Sequence, residues 1–128
     1  NRSPLIEETL NIADFSTTST TWVDVTGVTD TITTTGTTLK IIVICTIRTT
    51  GGSSSWQYLN LNIDGSDVTA VAEGLAGMLV PNGLPFTLVY IAAGLTPGSH
   101  TVKLRAKASS ASYAFHIDNA SIQLIDAA

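Results

Sequence analysis

The run LKIIVICTI, residues 39–47, constrains the fold more than any other stretch. Its β-branched residues lose rotamer freedom in a helix and suit a pleated surface, and its length fits a strand better than a helix. At period two, Leu39, Ile41, Val43, Cys45 and Ile47 share one face while Ile42 and Ile44 occupy the other. PFTLVYIAAG, residues 85–94, behaves the same way, with Phe86, Leu88 and Tyr90 opposed by Val89 and Ile91. A two-layer sandwich covers only the inner face of each sheet. The outer set Ile42, Ile44, Val89 and Ile91 therefore asks for a further cover, and a chain of 128 residues has few segments to spare. A neighbouring copy is the expected cover, which makes these four residues the candidate oligomer interface.

The remaining sequence reads as further strands between Gly, Pro, Asn and Asp punctuation. Strands are predicted at 5–12, 21–26, 38–48, 56–63, 85–92 and 100–108. A last stretch, 113–125, forms one strand or a pair around Asp118-Asn119. AVAEGLAGMLVPNG, residues 70–83, fits neither period and is expected to be a long loop or irregular strand. Seven or eight strands with regular turns imply an all-β antiparallel sandwich. The whole of 1–128 is expected to form one domain, with 1–12 either an N-terminal docking arm or the first strand. The chain opens on Asn1 rather than Met, as a fragment, a processed product or the ordered part of a longer protein would.

Charge excludes one class of partner. The net charge is −4 and the pI about 4.8, opposite to the basic field that neutralises phosphates, so no nucleic acid is expected. No apolar run approaches the ~20 residues of a spanning helix, so no membrane partner is expected either. The single cysteine, Cys45, has no disulfide or metal-site companion and is expected to be a buried, inert thiol.

Residues suited to catalysis are few, and no enzymatic activity, metal or cofactor is expected. His116 and Asp118 share a strand face, but no Ser or Cys stands in a nucleophile elbow, so they are expected to be a surface pair. His100 stands at a turn-to-strand corner. NIDGSD, residues 62–67, offers oxygen ligands but lacks the longer calcium-loop pattern. Asp64-Gly65 after an alternating strand is instead a hairpin signal. NAS, residues 119–121, matches a glycosylation sequon of the kind that arises by chance.

Two faces are candidates for binding. Along 101–108, Lys103, Arg105 and Lys107 line up outward as a basic stripe opposite Val102, Leu104, Ala106 and Ala108, and a solubilising role is favoured over an anion site. The turn before this strand has Pro97 to preset φ and Gly98 to supply positive φ, as in a type II turn. On 56–63, Leu59, Leu61 and Ile63 inward put Trp56, Tyr58, Asn60 and Asn62 outward. That row could stack sugar rings or meet a subunit, and the subunit contact is preferred because other outer faces also need covering.

YLNLNIDGSDV, LPFTLVYIAAGLTPGSHTVKLRAKASS and FHIDNASIQLIDA together resemble the C-terminal jelly-roll domains of tailed-phage virion proteins: capsid decoration proteins, head fibres and tail fibres. The resemblance spans residues 38–126 and is carried most specifically by GLTPGSHTVKLRA. It implies a jelly-roll sandwich, a homotrimer on the virion surface that does no chemistry, and a major capsid protein or other virion protein as partner. The alternative it implies is a fibre module that binds a host receptor or surface glycan. No coiled-coil or collagen-like stalk precedes the domain, which favours a compact decoration (cement) protein that stabilises the head.

Overall fold

The computed structural model describes residues 6–11, 14–50, 54–81 and 83–127. Among them are ten strands and no helix: β1 (Ile6–Asn11), β2 (Phe15–Thr17), β3 (Val23–Thr34), β4 (Leu39–Thr50), β5 (Ser55–Ile63), β6 (Ser66–Asp67), β7 (Ala76–Val80), β8 (Leu84–Ala92), β9 (Gly98–Ala108) and β10 (Ala114–Asp126). Leu5 and Ile12, the ends of the first predicted strand, lie outside the described residues, as do the other residues of 1–5.

The strands form two antiparallel five-stranded sheets. One runs β1-β10-β4-β8 with β2 also on β10, and the other β3-β9-β5-β6 with β7 also on β5. Leaving aside the short β2 and β6, β1 pairs β10, β3 pairs β9, β4 pairs β8 and β5 pairs β7. First pairs with last at each step inward, which is a long antiparallel ribbon rolled into two layers. The chain is thus a jelly-roll β-sandwich.

The core lies between the layers. Leu39, Ile41, Val43, Cys45 and Ile47 of β4 are none of them more than 3% exposed, and Phe115, Ile117, Ile122 and Leu124 of β10 pack beside them. Leu59, Leu61, Val102 and Leu104 face them from the second sheet. Each such side chain contributes about 1.5–3 kcal/mol by leaving water. Burial also pushes the Cys45 thiol up to about 12, with the Asp118 charge adding to it, so the thiol stays protonated.

Several strands differ from the sequence expectation. The strand predicted at 21–26 continues to Thr34. Its pairing with β9 slips between Asp24 and Thr29, and Gly27 takes φ 86° there. The bulge moves the inward residues from odd (Val25) to even (Val28, Ile32, Thr34), which hides the period. The stretch 113–125 is one strand, β10, with a bulge between Asp118 and Ser121 where Asn119 takes φ 51°. Within 70–83, residues 76–80 form β7 along β5. At the β8–β9 corner, Gly94 has φ 74° and Gly98 φ 140°. Gly98 is thus more extended than the ~80° of the predicted type II turn.

Candidate functional site

The outer face of the first sheet is the larger candidate. Cross-strand register sets its rows: Ile6, Ile125, Lys40, Ile91; then Glu8, Gln123, Ile42, Val89; then Leu10, Ser121, Ile44, Thr87. Ile44 and Val89 are each 52% exposed, Ile91 59%, Ile6 50% and Leu10 67%; Ile42 and Ile125 are half-buried by their neighbours. Residues 76–80 pair on the opposite sheet, so this segment does not cover the face. β1 is turned so that its apolar residues Ile6 and Leu10 look outward, while the Thr9 hydroxyl donates to Asp30 of β3 at 2.7 Å. Sequence reasoning left out Ile6 and Leu10, although their shared parity was a signal. Glu8 and Lys40 have opposite charges on this face, and neither forms an ion pair among the described residues.

The face of β5 differs from expectation in half of its row. Trp56 is 52% exposed and pairs across β7 with Leu79, itself 53% exposed; Tyr58 is half-buried. Asn60 and Asn62 are buried, and their amides are used internally. Asn60 Nδ2 donates to the Thr69 carbonyl and its Oδ1 accepts from Leu61 N. Asn62 Nδ2 donates to Asp67 and its Oδ1 accepts from Gly65 N. Trp22 packs close over Gly74, and residue 74 is bridged to Leu59, so this end of the sheet is roofed. The two amides cannot serve as a sugar-binding row. Asp64 (φ 52°) and Gly65 (φ 91°) form the turn between β5 and β6, with Ile63 opposite Ser66.

The basic stripe is mostly neutralised. Lys103 Nζ stands 3.5 Å from Asp24, and Arg105 Nη1 donates to Asp67 at 3.2 Å. Arg105 Nη2 donates to the Trp22 carbonyl. Its Nε lies 3.0 Å from Asp24 Oδ1, close enough to pair charge but not aligned as a hydrogen bond. Lys107 has no carboxylate partner among the described residues. Its Nζ sits 4.8 Å from the centroid of the Trp22 ring and 5.5 Å from that of Tyr58. The stripe is therefore no open anion site along its length.

His116 and Asp118 share the outer face of β10 without bonding each other. His116 Nδ1 faces Asp14 at 3.2 Å and Nε2 faces Thr50 Oγ1 at 3.0 Å, while Arg48 Nε donates to Asp118 at 3.0 Å and Nη2 reaches Asp14 at 3.4 Å. Asp14, His116 and Thr50 are ordered like a carboxylate–imidazole–hydroxyl relay. The hydroxyl, however, is a β-branched strand residue on an outer sheet face, not a nucleophile raised on a sharp turn. The group ties β4 and β10 to the residue that leads into β2.

No protein-family model and no curated protein sequence matches the chain. Among solved structures it is similar to the VP2 subviral particle of infectious bursal disease virus, with TM-score 0.54 and 16% identity over 95% of this chain and 32% of that one. It is similar to the insecticidal delta-endotoxin Cry8Ea1 of Bacillus thuringiensis, with TM-score 0.51 and 14% identity over 90% of this chain and 20% of that one. A weaker likeness, TM-score 0.49 at 10% identity over 92% and 96% of the two chains, is to the CBM36-1 domain of a multidomain xylanase from the hindgut metagenome of Trinervitermes trinervoides. At such identities the likeness is one of fold. The chain spans about a third of VP2's length and a fifth of the endotoxin's.

Proposed function

We propose that the chain is a non-catalytic surface protein of a tailed-phage virion, a homotrimeric decoration protein that stabilises the head. The exposed apolar outer face of the first sheet carries the proposal. Ile42, Ile44, Val89 and Ile91 form a contiguous apolar patch on β4 and β8, and Ile6 and Leu10 of β1 lie on the same face across Ile125, Gln123 and Ser121 of β10. Contiguous exposed apolar surface of this kind marks an interaction site. Glu8 and Lys40 favour another copy as the occupant, because in a three-fold ring Glu8 of each copy can meet Lys40 of the next, a heterologous contact that closes. Many copies that bind only an assembled lattice shift the equilibrium toward the closed shell. The fold-level likeness to a protein of a subviral particle accords with this reading, which puts the chain on the outside of the virion.

Light scattering of the purified chain at micromolar concentration tests it. A mass three times that of the chain is expected, falling to the monomer in Ile44→Lys/Val89→Lys with the circular dichroism of the folded sheet retained. A wild-type chain that stays monomeric would remove the basis of the proposal. Imaging of the native particle then separates a capsid-lattice position from a fibre tip.

A further inference from the structure

We infer that the outer face of the second sheet holds a separate binding site for an acidic sugar, in which the Trp56 indole stacks on the ring and Lys107 takes the carboxylate. Two adjacent rows on this face differ in character. In one, Trp56 and Leu79 are paired and half-exposed, giving a flat apolar platform. In the next, Tyr58 stands between Gly77 and Lys107. Gly77 matters here because a Cβ on it would lie 2.9 Å from the Tyr58 ring, so the ring lies down over the β7 backbone and leaves the platform open.

Charge decides what the platform fits. Lys103 and Arg105 are answered by Asp24 and Asp67, whereas Lys107 is held between two rings with no carboxylate partner among the described residues. A half-buried ammonium whose nearest neighbours are aromatic faces is incompletely compensated, and a ligand carboxylate would complete it. Trp56 is the diagonal neighbour of Lys107 across the β5–β9 ladder, a spacing of roughly 7–8 Å. One ring bearing an acid group bridges that spacing with its apolar face on the indole. Trp22, absent from the sequence-level candidate set, is the wall that fixes Lys107, and it is itself wedged against Gly74. Glu73, whose Cβ lies near Gly77, is the acidic residue at the patch edge that opposes such a ligand.

A glycan array carrying uronic- and sialic-type sugars beside the methyl esters of the same sugars tests the inference with the full chain. The acids are expected to bind, with the esters about tenfold weaker, as loss of one charge-assisted contact implies. Trp56→Ala should abolish the signal, Lys107→Gln should reduce the acids to the level of the esters, and Glu73→Gln should strengthen acid binding. Should Lys107→Gln fail to fold by circular dichroism, Lys107→Arg keeps the charge and should keep the preference for acids. The inference is overturned if no acidic sugar binds, if acids and esters bind alike, or if Trp56→Ala binds as before. It is equally overturned if Trp56→Ala or Leu79→Ala abolishes assembly while no sugar binds, which would make the patch a subunit contact. The assembly proposal uses the opposite sheet, so a monomer that binds acidic sugar would sink one and leave the other standing.

Discussion

His100 is held at both ring nitrogens. Nδ1 faces Asp64 and Nε2 faces the Thr96 carbonyl, each at 2.6 Å. Two acceptors are both satisfied only by an imidazolium. The hydrogen bond to Asp64 accordingly raises the His100 pKa, with the Thr96 carbonyl adding to it against the effect of burial. For Asp64, burial raises the pKa, but hydrogen bonds from His100 and Thr101 N outweigh it and leave the carboxyl below its ordinary range. A raised His pKa contributes stability that is complete below the unfolded value and fades as pH rises through the folded one. A lowered Asp pKa contributes stability present above its unfolded value and lost in acid. The pair therefore stabilises most between about pH 4 and pH 6.5. Urea midpoints should fall from about pH 6 to about pH 9, and His100→Gln should flatten that limb and cost about 1–3 kcal/mol at the acid end. An unchanged alkaline limb in the variant would show that the pair is not its source. At Gly74, φ is 70° and an added Cβ would lie 2.5 Å from Leu59 O and 2.6 Å from Trp22 Cη2. Gly74→Ala should cost more than about 1 kcal/mol and shift tryptophan fluorescence as Trp22 is displaced. At this scale Asp64-Gly65 was legible, because a turn is written in adjacent residues. The burial of Asn60 and Asn62 was not, because their partners Thr69 and Asp67, and the Trp22 roof, lie outside the strand's own alternation.

The long strands β4, β8 and β9 were legible at the element scale because each keeps an uninterrupted apolar set of one parity over most of its length. What escaped were the places where parity breaks or a strand is short. β3 was cut off at 26 because Gly27 swaps its inward residues, and β7 was obscured because β5, not its own pattern, holds it in place. The bulge in β10 shows how much depends on one such position. Before Asn119 the inward residues are Phe115 and Ile117, and after it they are Ala120, Ile122 and Leu124. Were β10 to run through Asn119 in regular alternation, without the bulge, Ile122 and Leu124 would turn to the outer face and Ser121, Gln123 and Ile125 into the core. Deleting Asn119 removes the bulged residue and leaves Ile117, Ala120, Ile122 and Leu124 in regular alternation, with Ala120 opposite Cys45, so the deletion variant should keep a cooperative unfolding transition. Asn119→Gly should be neutral within a few tenths of a kcal/mol, since glycine accepts φ 51°, whereas Asn119→Val should cost about 1–2 kcal/mol. Urea denaturation of the three variants checks the series. A deletion variant with no cooperative transition would show that β10 needs the bulge for more than its inward parity.

The molecule as a whole has a face whose chemistry suits burial and which the described residues leave open. The inner and outer sets of β4 were both visible in the sequence, and the structure places the outer set on the same face as Ile6 and Leu10 of β1, which pairs with β10 from more than a hundred residues away along the chain. If copies meet on this face, the apparent melting temperature rises with protein concentration, because association draws folded chains out of the unfolding equilibrium. The charges then offer a sharper test than the apolar residues, whose replacement also changes solubility. Glu8 and Lys40 lie on opposite sides of β10, two strand spacings or roughly 10 Å apart and one row out of register, too far to pair within one copy. Between copies they can meet. Glu8→Lys alone and Lys40→Glu alone should each place like charges together and lower the assembled fraction, by roughly tenfold in association constant for a partly desolvated pair. The double variant Glu8→Lys/Lys40→Glu restores opposite charges and should recover assembly. Analytical ultracentrifugation at low and high salt reads all three, with the single-variant defects shrinking in high salt as screening removes the repulsion. Two single variants that assemble like the parent chain would show that Glu8 and Lys40 do not meet between copies. A double variant as weak as the singles would mean that each residue acts through some other neighbour.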